Sequence, residues 1–159
     1  MADPVNPTAI SPHLTLLNPR EAVTDALYRS ILGIDSNDRE MFESACFKDE
    51  SMTVVAGPVT LEGWNVVNDF FQRLFTMVTT HITSNIRIKM KDGEDTASLT
   101  ANAIAYHVRP DDAFTEEDTS YTAFNLYSID LIKDEGLWKI KKWEIKTLWT
   151  TGNRAVLYP

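Results

Sequence analysis

The chain has 159 residues, of which 43% are hydrophobic, and a formal net charge of −8. This length suits one globular domain with a core of its own, and the composition excludes a chain that is disordered throughout. The acidic balance, without a dense cluster of Lys and Arg, argues against a nucleic-acid or anionic-membrane partner. No apolar run exceeds four residues, so no membrane-spanning segment is predicted.

The cysteine content and the N-terminal sequence bear on compartment and domain organisation. Cys46 is the single cysteine, which excludes an internal disulfide and a cysteine-based zinc site. The N-terminus lacks the basic stretch and apolar run of a secretory signal, so we predict a cytoplasmic protein. Residues 1–18 show little periodicity and are predicted to form a flexible arm, followed by a single domain over residues 19–159.

Two helices are predicted at the start of this domain. Asn18 can cap the first helix, with Pro19 at its first position and Glu21 placed to complete a capping box. Apolar residues then recur every three or four positions as far as Gly33, which is expected to end the helix. A polar corner over residues 35–38 follows, and its side chains can cap a second, shorter helix.

The next segments alternate between strand and helix periodicity. Residues 52–56 are predicted to form a short strand that Gly57 and Pro58 end. A third helix follows Gly63, and its broad apolar face continues as far as Val78. The period then changes to two, which predicts a half-buried strand. Its apolar residues, taken to share one face, are Ile82, Ile86, Ile88 and Met90.

Three more long strands complete the pattern. Turns over residues 91–94 and 133–136 bound strands predicted over residues 96–109, 121–132 and 137–149. In the last strand the apolar residues change parity, which indicates a β-bulge that bends the sheet. The residues before the change are Trp138 and Ile140, and those after it are Trp143, Ile145 and Trp149.

This order of elements predicts an α+β fold. N-terminal helices packed on a strongly curved antiparallel sheet would form a cone-shaped barrel that encloses an apolar pocket. Aromatic residues predicted for the core or the pocket wall include Tyr28, Trp64, Phe71, Tyr106 and Tyr127.

His81 and Asp35 are the strongest candidates for chemistry. His81 begins the first long strand, at the level where the cone would open, and an imidazole suits proton transfer near neutral pH. Asp35 stands at the bend after the first helix, from which its carboxylate can face the space beneath the sheet. The structural alternatives are a rim histidine bonded to the backbone, and an aspartate in an Asx turn or a helix cap.

Two other titratable residues are further candidates. His107 ends the second long strand, on the side that carries several alanines, and can reach the same cavity if it points inward. Glu144 lies at the parity change, although Lys142 and Lys146 beside it favour a solvated face. Phosphate-loop, serine-elbow and zinc-protease motifs are absent from the sequence, so we expect no metal and no organic cofactor.

A set of short segments carries a family resemblance. These are residues 32–38 (LGIDSND), 47–50 (FKDE), 61–63 (LEG), His81 with Asn85, and residues 136–140 (GLWKI) ahead of Trp143. Together they resemble the SnoaL-like branch of the nuclear transport factor 2-like superfamily, and its scytalone-dehydratase-like members in particular. The resemblance covers about residues 19–152.

The resemblance implies cofactor-free acid–base catalysis on polyketide or terpenoid intermediates. Asp35 and His81 fall where dehydratase-like members carry a catalytic aspartate and histidine. Asn125 falls near a polar position that contacts substrate, and Glu144 resembles an acidic position of polyketide-cyclase members. His107 matches the second histidine of the dehydratase pattern approximately.

The sequence also departs from that pattern. The dehydratase-like members have a tyrosine immediately before the aspartate, where this chain has Ile34. This difference disfavours scytalone dehydration itself, whereas isomerisation or ring closure needs no tyrosine to hold a leaving water.

With this resemblance, we expect a cofactor-independent enzyme of secondary metabolism that isomerises, cyclises or dehydrates a polyketide or terpenoid intermediate. Its expected partners are a small polycyclic substrate and further copies of the chain in a homodimer or homotrimer. The alternative is a non-catalytic ligand-binding or dimerisation module of the same fold. In that case His81 and Asp35 would face solvent or be used in capping bonds.

Overall fold

The structure is a computed structural model that describes residues 13–115 and 119–159. Most of the predicted arm, residues 1–12, lies outside the described residues. Within the described ranges, no helix is long and apolar enough to cross a membrane. The elements in chain order are helices α1 (Pro19–Asp35) and α2 (Arg39–Ser44), strands β1 (Thr53–Ala56) and β2 (Val59–Glu62), helix α3 (Trp64–Gln72), and strands β3 (Val78–Met90), β4 (Thr96–Val108), β5 (Tyr121–Asp134) and β6 (Leu137–Gly152).

The six strands form one curved sheet in the order β2-β1-β6-β5-β4-β3. The four long strands pair antiparallel, as predicted, but β1 pairs parallel to β6, so the sheet is mixed. The helices cover one face, here called the inner face. The α+β class is confirmed. Because β2 and β3 remain edge strands, the sheet is open and the term cone-shaped barrel describes it only loosely.

The start of α1 is as predicted, and its end is not. The capping box is confirmed, since Asn18 Oδ1 accepts the Glu21 backbone N–H at 3.0 Å and Glu21 Oε2 accepts that of Asn18 at 2.9 Å. The helix continues past Gly33 to Asp35. Gly33 lies where α1 meets α2, and a Cβ there would be 2.5 Å from the backbone nitrogen of Phe42. The glycine therefore permits a close helix contact and does not end the helix.

The connection between α2 and β3 also differs from the prediction. Gly57 and Pro58 form the two-residue turn of a β1–β2 hairpin, with Gly57 at φ +59°. Glycine at the first central position is typical of a hairpin turn of this kind. Helix α3 ends at Gln72, a 3₁₀ turn follows at Leu74–Thr76, and Val78 already belongs to β3.

Bulges decide which side chains face inward on β6. The register against β5 shifts at Lys141, which confirms the predicted bulge. A second shift, at Leu148, was not predicted and reverses the parity again. Trp149 therefore lies on the outer face, not with Trp143 on the inner face, and its ring stacks on that of Phe124 at a centroid distance of 3.6 Å.

A third bulge lies in β3. The register against β4 shifts between Ser84 and Arg87, and Asn85 has a φ of +54°. The parity of the strand changes there, so His81 before the bulge and Ile86 after it face the same side. Ile82, predicted to share a face with Ile86, lies on the outer face and is 51% exposed.

The core between the helices and the inner face also holds one buried cation. The Arg29 guanidinium, 3% exposed, donates to the carboxylate of Asp25 at 2.8 Å, to Ser44 Oγ at 3.0 Å and to the carbonyl of Trp138 at 2.6 Å. These bonds compensate for desolvation of the charge and join α1 to the end of α2 and to β6. Cys46 is buried in the same core, and its burial raises the pKa of the thiol.

Gly33→Ala is expected to lower the free energy of unfolding by up to about 2 kcal/mol. Overpacking costs about 1–3 kcal/mol, and replacing a helical Gly by Ala returns about 1 kcal/mol. Denaturant titration measures the change. Thr24→Ala in the same helix is the control and should leave stability nearly unchanged. A stabilised Gly33→Ala variant would show that the contact with α2 is not tight.

Candidate active site

The candidate site is built around the carboxylate of Asp35, the last residue of α1. Asp35 Oδ1 lies 2.7 Å from His81 Nδ1 and accepts a hydrogen bond from Thr79 Oγ1 at 2.8 Å. Asp35 Oδ2 accepts the backbone N–H of His81 at 2.7 Å. All three groups belong to the start of β3. Neither structural alternative from the sequence is seen, because His81 bonds to a carboxylate and the side chain that caps α2 is Asp38.

These contacts fix the charge on Asp35. Burial alone would raise the pKa of the Asp35 carboxyl, but hydrogen bonds from the ring and backbone of His81, the charge of His81 and the hydroxyl of Thr79 lower it below its ordinary value. The carboxyl is therefore ionised at neutral pH and acts only as an acceptor.

An ionised carboxylate also fixes the tautomer of the neutral imidazole. Because Asp35 can only accept, His81 Nδ1 carries the proton of that hydrogen bond, and the lone pair is on Nε2. The His81 side chain is 5% exposed and that of Asp35 is 17% exposed, so the pair is largely shielded from water. The arrangement presents the Nε2 lone pair as a base while the Asp35 carboxylate holds the ring through Nδ1.

His107 lies beside this pair on β4. Its ring meets that of His81 edge-on, at a centroid distance of 6.1 Å, and its Nδ1 donates to the carbonyl of Tyr121 at 3.1 Å. Burial lowers the pKa of His107, and the nearby His81 lowers it further. The hydrogen bond to the Tyr121 carbonyl and the charge of Asp35 raise it, but the net effect is a lowered pKa. His107 is therefore neutral at pH 7, with Nε2 as its acceptor nitrogen.

Two residues of β5 lie further along the inner face. Asn125 is 5% exposed, and its Oδ1 accepts a hydrogen bond from Thr147 Oγ1 at 2.8 Å. Tyr127 is buried with its ring edge-on to that of Trp143. Burial, together with the charge of Asp35, raises the pKa of the Tyr127 hydroxyl, which therefore stays protonated. Asn125 and Tyr127 both supply uncharged polar groups on the same face as His81.

The structure does not bring the other sequence candidates to this site. Glu144 lies on the outer face with its side chain 50% exposed, and its Oε2 is 4.0 Å from Lys142 Nζ. Tyr106 also faces outward, since the inward residues of β4 are the alternate ones that include Ala105 and His107. Tyr28 is 42% exposed on α1. Trp64 and Phe71 pack against Phe42 in the core.

Two cavities formed by the described residues lie elsewhere. One of about 520 Å³ is formed by the N-terminal end of α1 with the β3–β4 and β5–β6 turns, and includes Asp25, Met90 and Trp138. Another of about 470 Å³ lies beside it, and neither is lined by Asp35 or His81. Neither is lined by a histidine, and the candidate site rests on the hydrogen bonds of the Asp35–His81 pair. The apolar pocket expected there stays a prediction.

Three contributors to the site were missed by sequence reasoning. Thr79 is detectable from the period of two, because it is the inward residue before His81. Thr147 becomes detectable only when its register with Asn125 is known. The Tyr121 group that holds His107 is a backbone carbonyl and leaves no side-chain signal. Within residues 13–115 and 119–159, no three His, Cys, Asp or Glu side chains are grouped closely enough to hold a metal ion.

Comparison with known proteins decides the family. Residues 15–144 match the model of the SnoaL-like domain. The chain belongs to the SnoaL-like family. It is also 33% identical to terrestric acid biosynthesis cluster protein E of Penicillium crustosum, over 98% of each chain.

Solved structures show the same fold as this SnoaL-like chain. A scytalone dehydratase-like protein from Novosphingobium aromaticivorans superposes with a TM-score of 0.71 at 23% identity, covering 85% of this chain and 87% of the other. A hexachlorocyclohexane dehydrochlorinase from Novosphingobium barchaimii superposes with a TM-score of 0.66 at 16% identity, covering 86% and 91%. At these identities the likeness concerns the fold alone.

The buried His107 makes the stability of the SnoaL-like chain dependent on pH. Its folded pKa lies below the ordinary value of 6.5, so the unfolded chain takes up a proton that the folded chain does not. The free energy of unfolding should therefore fall as the pH falls below 6.5, by at most about 1.4 kcal/mol per pH unit from this group. Denaturant titrations over a pH series measure the slope.

His107→Asn is the matched variant, because its amide can still donate to the Tyr121 carbonyl but does not titrate. Below pH 6.5 the free energy of unfolding of this variant should change less steeply with pH than that of the wild type. His13 and His81 are present in both proteins, so the difference between the two slopes reports on His107. Equal slopes in the two proteins would contradict the assignment of a neutral, buried His107.

Proposed function

We propose that this SnoaL-like chain is a cofactor-independent acid–base enzyme of secondary metabolism. The observation that carries the proposal is the 2.7 Å contact between Asp35 Oδ1 and His81 Nδ1 on an inner face that is largely shielded from water. A neutral imidazole oriented by a carboxylate is a general base without any metal. The name of the Penicillium crustosum relative, which places it in a biosynthesis cluster, supports a substrate from secondary metabolism.

In the proposed reaction His81 Nε2 removes a proton from a carbon next to a substrate carbonyl. The electron pair of the broken C–H bond moves to the carbonyl oxygen and gives an enolate, while the proton stays on His81 as an imidazolium that Asp35 stabilises. Asn125 donates an N–H to the enolate oxygen, and the Tyr127 hydroxyl lies on the same face. His107, which is neutral, serves as a second proton carrier.

The fate of the enolate decides the product. Return of the proton to another carbon of the conjugated system gives isomerisation. Attack of the enolate carbon on a second carbonyl forms a carbon–carbon bond and closes a ring. Loss of a β-hydroxyl group, protonated as it leaves, gives dehydration. Each path needs only the proton that His81 removed. The carbonyl and hydroxyl groups that these paths require are those of an oxygenated polyketide or terpenoid intermediate, which we propose as the substrate.

The alternative is a ligand-binding or dimerisation module without catalysis. That reading expects His81 and Asp35 to face solvent or to serve as caps, whereas each is the hydrogen-bond partner of the other. A module that only binds would also show no dependence of proton exchange on His81.

His81→Ala should slow α-proton exchange into a panel of polyketide-like ketones in D₂O by about 10²–10⁴-fold, since a positioned base contributes that much. Asp35→Asn should also slow exchange, because the carboxylate that fixes the tautomer of His81 and stabilises its imidazolium form is lost. NMR follows the exchange. Asp69→Asn, on the exposed side of α3, is the matched control and should react as the wild type does.

Exchange at the wild-type rate in His81→Ala would remove His81 from the mechanism. Tight binding of a ketone to the wild type without exchange of any panel member would favour the binding module.

We further propose that copies of this chain associate through the outer face. Ile82, Ile104, Phe124 and Trp149 lie opposite one another on β3, β4, β5 and β6 and form one apolar row across the sheet. Ile82 is 51% exposed and Trp149 is 56% exposed. A continuous exposed apolar patch favours an interface, and Glu144 and Lys142 further along the same face supply both signs of charge, as a self-complementary contact needs.

Trp149→Glu and Ile82→Glu should therefore convert a dimer or trimer of the wild type into a monomer. Each change places a charge at one end of the apolar row, where the side chain is more than half exposed. Analytical ultracentrifugation at one protein concentration measures the mass. Ser128→Glu, on the same face but outside the row, should keep the wild-type mass. A wild type that is a monomer would refute this interface.

A further inference from the structure

The orientation of the Asn125 amide is set by two neighbours. Thr147 lies directly opposite Asn125 in the β5–β6 register and donates its hydroxyl to Asn125 Oδ1 at 2.8 Å. On the other side, Asn125 Nδ2 lies 3.4 Å from the carbonyl oxygen of Ala123. The reverse orientation would put Oδ1 against that carbonyl, where two acceptor oxygens repel. The Ala123 carbonyl, which can only accept, therefore selects one of the two amide orientations, and the Thr147 hydroxyl holds the amide in that orientation.

The chosen orientation leaves donor capacity on the amide nitrogen. Asn125 Nδ2 carries two N–H groups, and its one partner among the described residues is the long contact to Ala123. The side chain is 95% buried, since its exposed fraction is 5%. A buried donor with incomplete hydrogen bonding favours an acceptor oxygen that comes from a ligand.

The amide lies on the same face as the Asp35–His81 pair, across small side chains. In the sheet register His81 is opposite Ala105, and Asn125 is opposite Ala103. Between His81 on β3 and Asn125 on β5, the inner face of β4 therefore carries only methyl groups. A substrate carbon next to His81 and an oxygen of the same substrate next to Asn125 would have no bulky β4 side chain between them.

We propose that Thr147 is a positioning residue that holds Asn125 with its N–H groups toward the substrate. The inference rests on the proposed function and deepens it, because it defines the substrate group at this point as an acceptor, a ketone or enolate oxygen. With the amide reversed, the Asn125 carbonyl oxygen would face the negative enolate oxygen and destabilise it. The amide that Thr147 holds in place thus favours a substrate oxygen that accepts, above all the anionic oxygen of an enolate.

The test compares Thr147→Val, which has the same shape without the donor, with Thr147→Ser, which keeps the hydroxyl. The probe is 4-nitrophenolate, whose anionic oxygen resembles an enolate. Thr147→Val should bind it about 10-fold or more weakly and should slow ketone exchange by about 10–10²-fold, a fraction of what loss of an oxyanion donor costs. Thr147→Ser should restore both within about threefold of the wild type.

Side-chain amide NMR gives a readout that a merely structural role would not move. The Asn125 Nδ2–H signals should shift on addition of 4-nitrophenolate in the wild type and in Thr147→Ser, but not in Thr147→Val. The pH profile of exchange should stay the same in all three proteins, because the Asp35–His81 pair is untouched. If Thr147→Val does not fold, Thr147→Ala repeats the test. It lacks the hydroxyl donor and does not put a methyl group in its place.

The outcomes separate this inference from the proposed function. Wild-type affinity and exchange in Thr147→Val, or a wild type that does not bind 4-nitrophenolate at all, would overturn the role of Thr147. Full exchange in His81→Ala would overturn the proposed function instead, while the 4-nitrophenolate titrations would still report on Thr147.

Discussion

The carboxylate of Asp35 is the interaction on which the site depends. It ends α1 and accepts three hydrogen bonds, all from the first residues of β3. A partly buried carboxylate is costly unless it is hydrogen-bonded, so these bonds stabilise the charge and fix the end of the helix against the edge of the sheet. The same bonds determine the rotamer and tautomer of His81. Structure and chemistry are therefore coupled through one side chain.

Two backbone features lie close to Asp35 and His81. Gly33 lets α2 approach α1 closely, two residues before Asp35. The bulge at Asn85 turns the first part of β3 so that Thr79 and His81 face inward together with Ile86 and Ile88 further along. Without the bulge, either His81 or the isoleucines after it would face solvent, since a one-residue shift exchanges the two faces of a strand.

The elements with strong local signals were predictable from the sequence. The capping box at Asn18, the four long strands and the bulge at Lys141 all follow from residue type and period. The bulge at Asn85 leaves no clear signal, because Ile82, Ile86 and Ile88 all fall on even-numbered positions as in a regular strand, and only the tolerance of Asn for positive φ hints at it. The hairpin at Gly57 was missed because its strands have four residues each.

The candidate site was predictable as residue types but not as an arrangement. Asp35 and His81 were chosen for their chemistry and their places at element ends, yet their contact spans 46 positions and needs the tertiary fold. Glu144 illustrates the opposite case, because the residue type suits catalysis and the parity of β6 puts it on the outer face. Thr147 acts only through Asn125, so no pattern in its own segment identifies it.

The most direct test of this account is the tautomer of His81, read from the ¹⁵N chemical shifts of its ring in protein labelled at histidine. For the neutral ring we expect a proton on Nδ1 and a bare Nε2, with this preference weakened in Asp35→Asn. A neutral ring with its proton on Nε2 in the wild type would leave no basic nitrogen free to act on a substrate and would contradict the proposed mechanism.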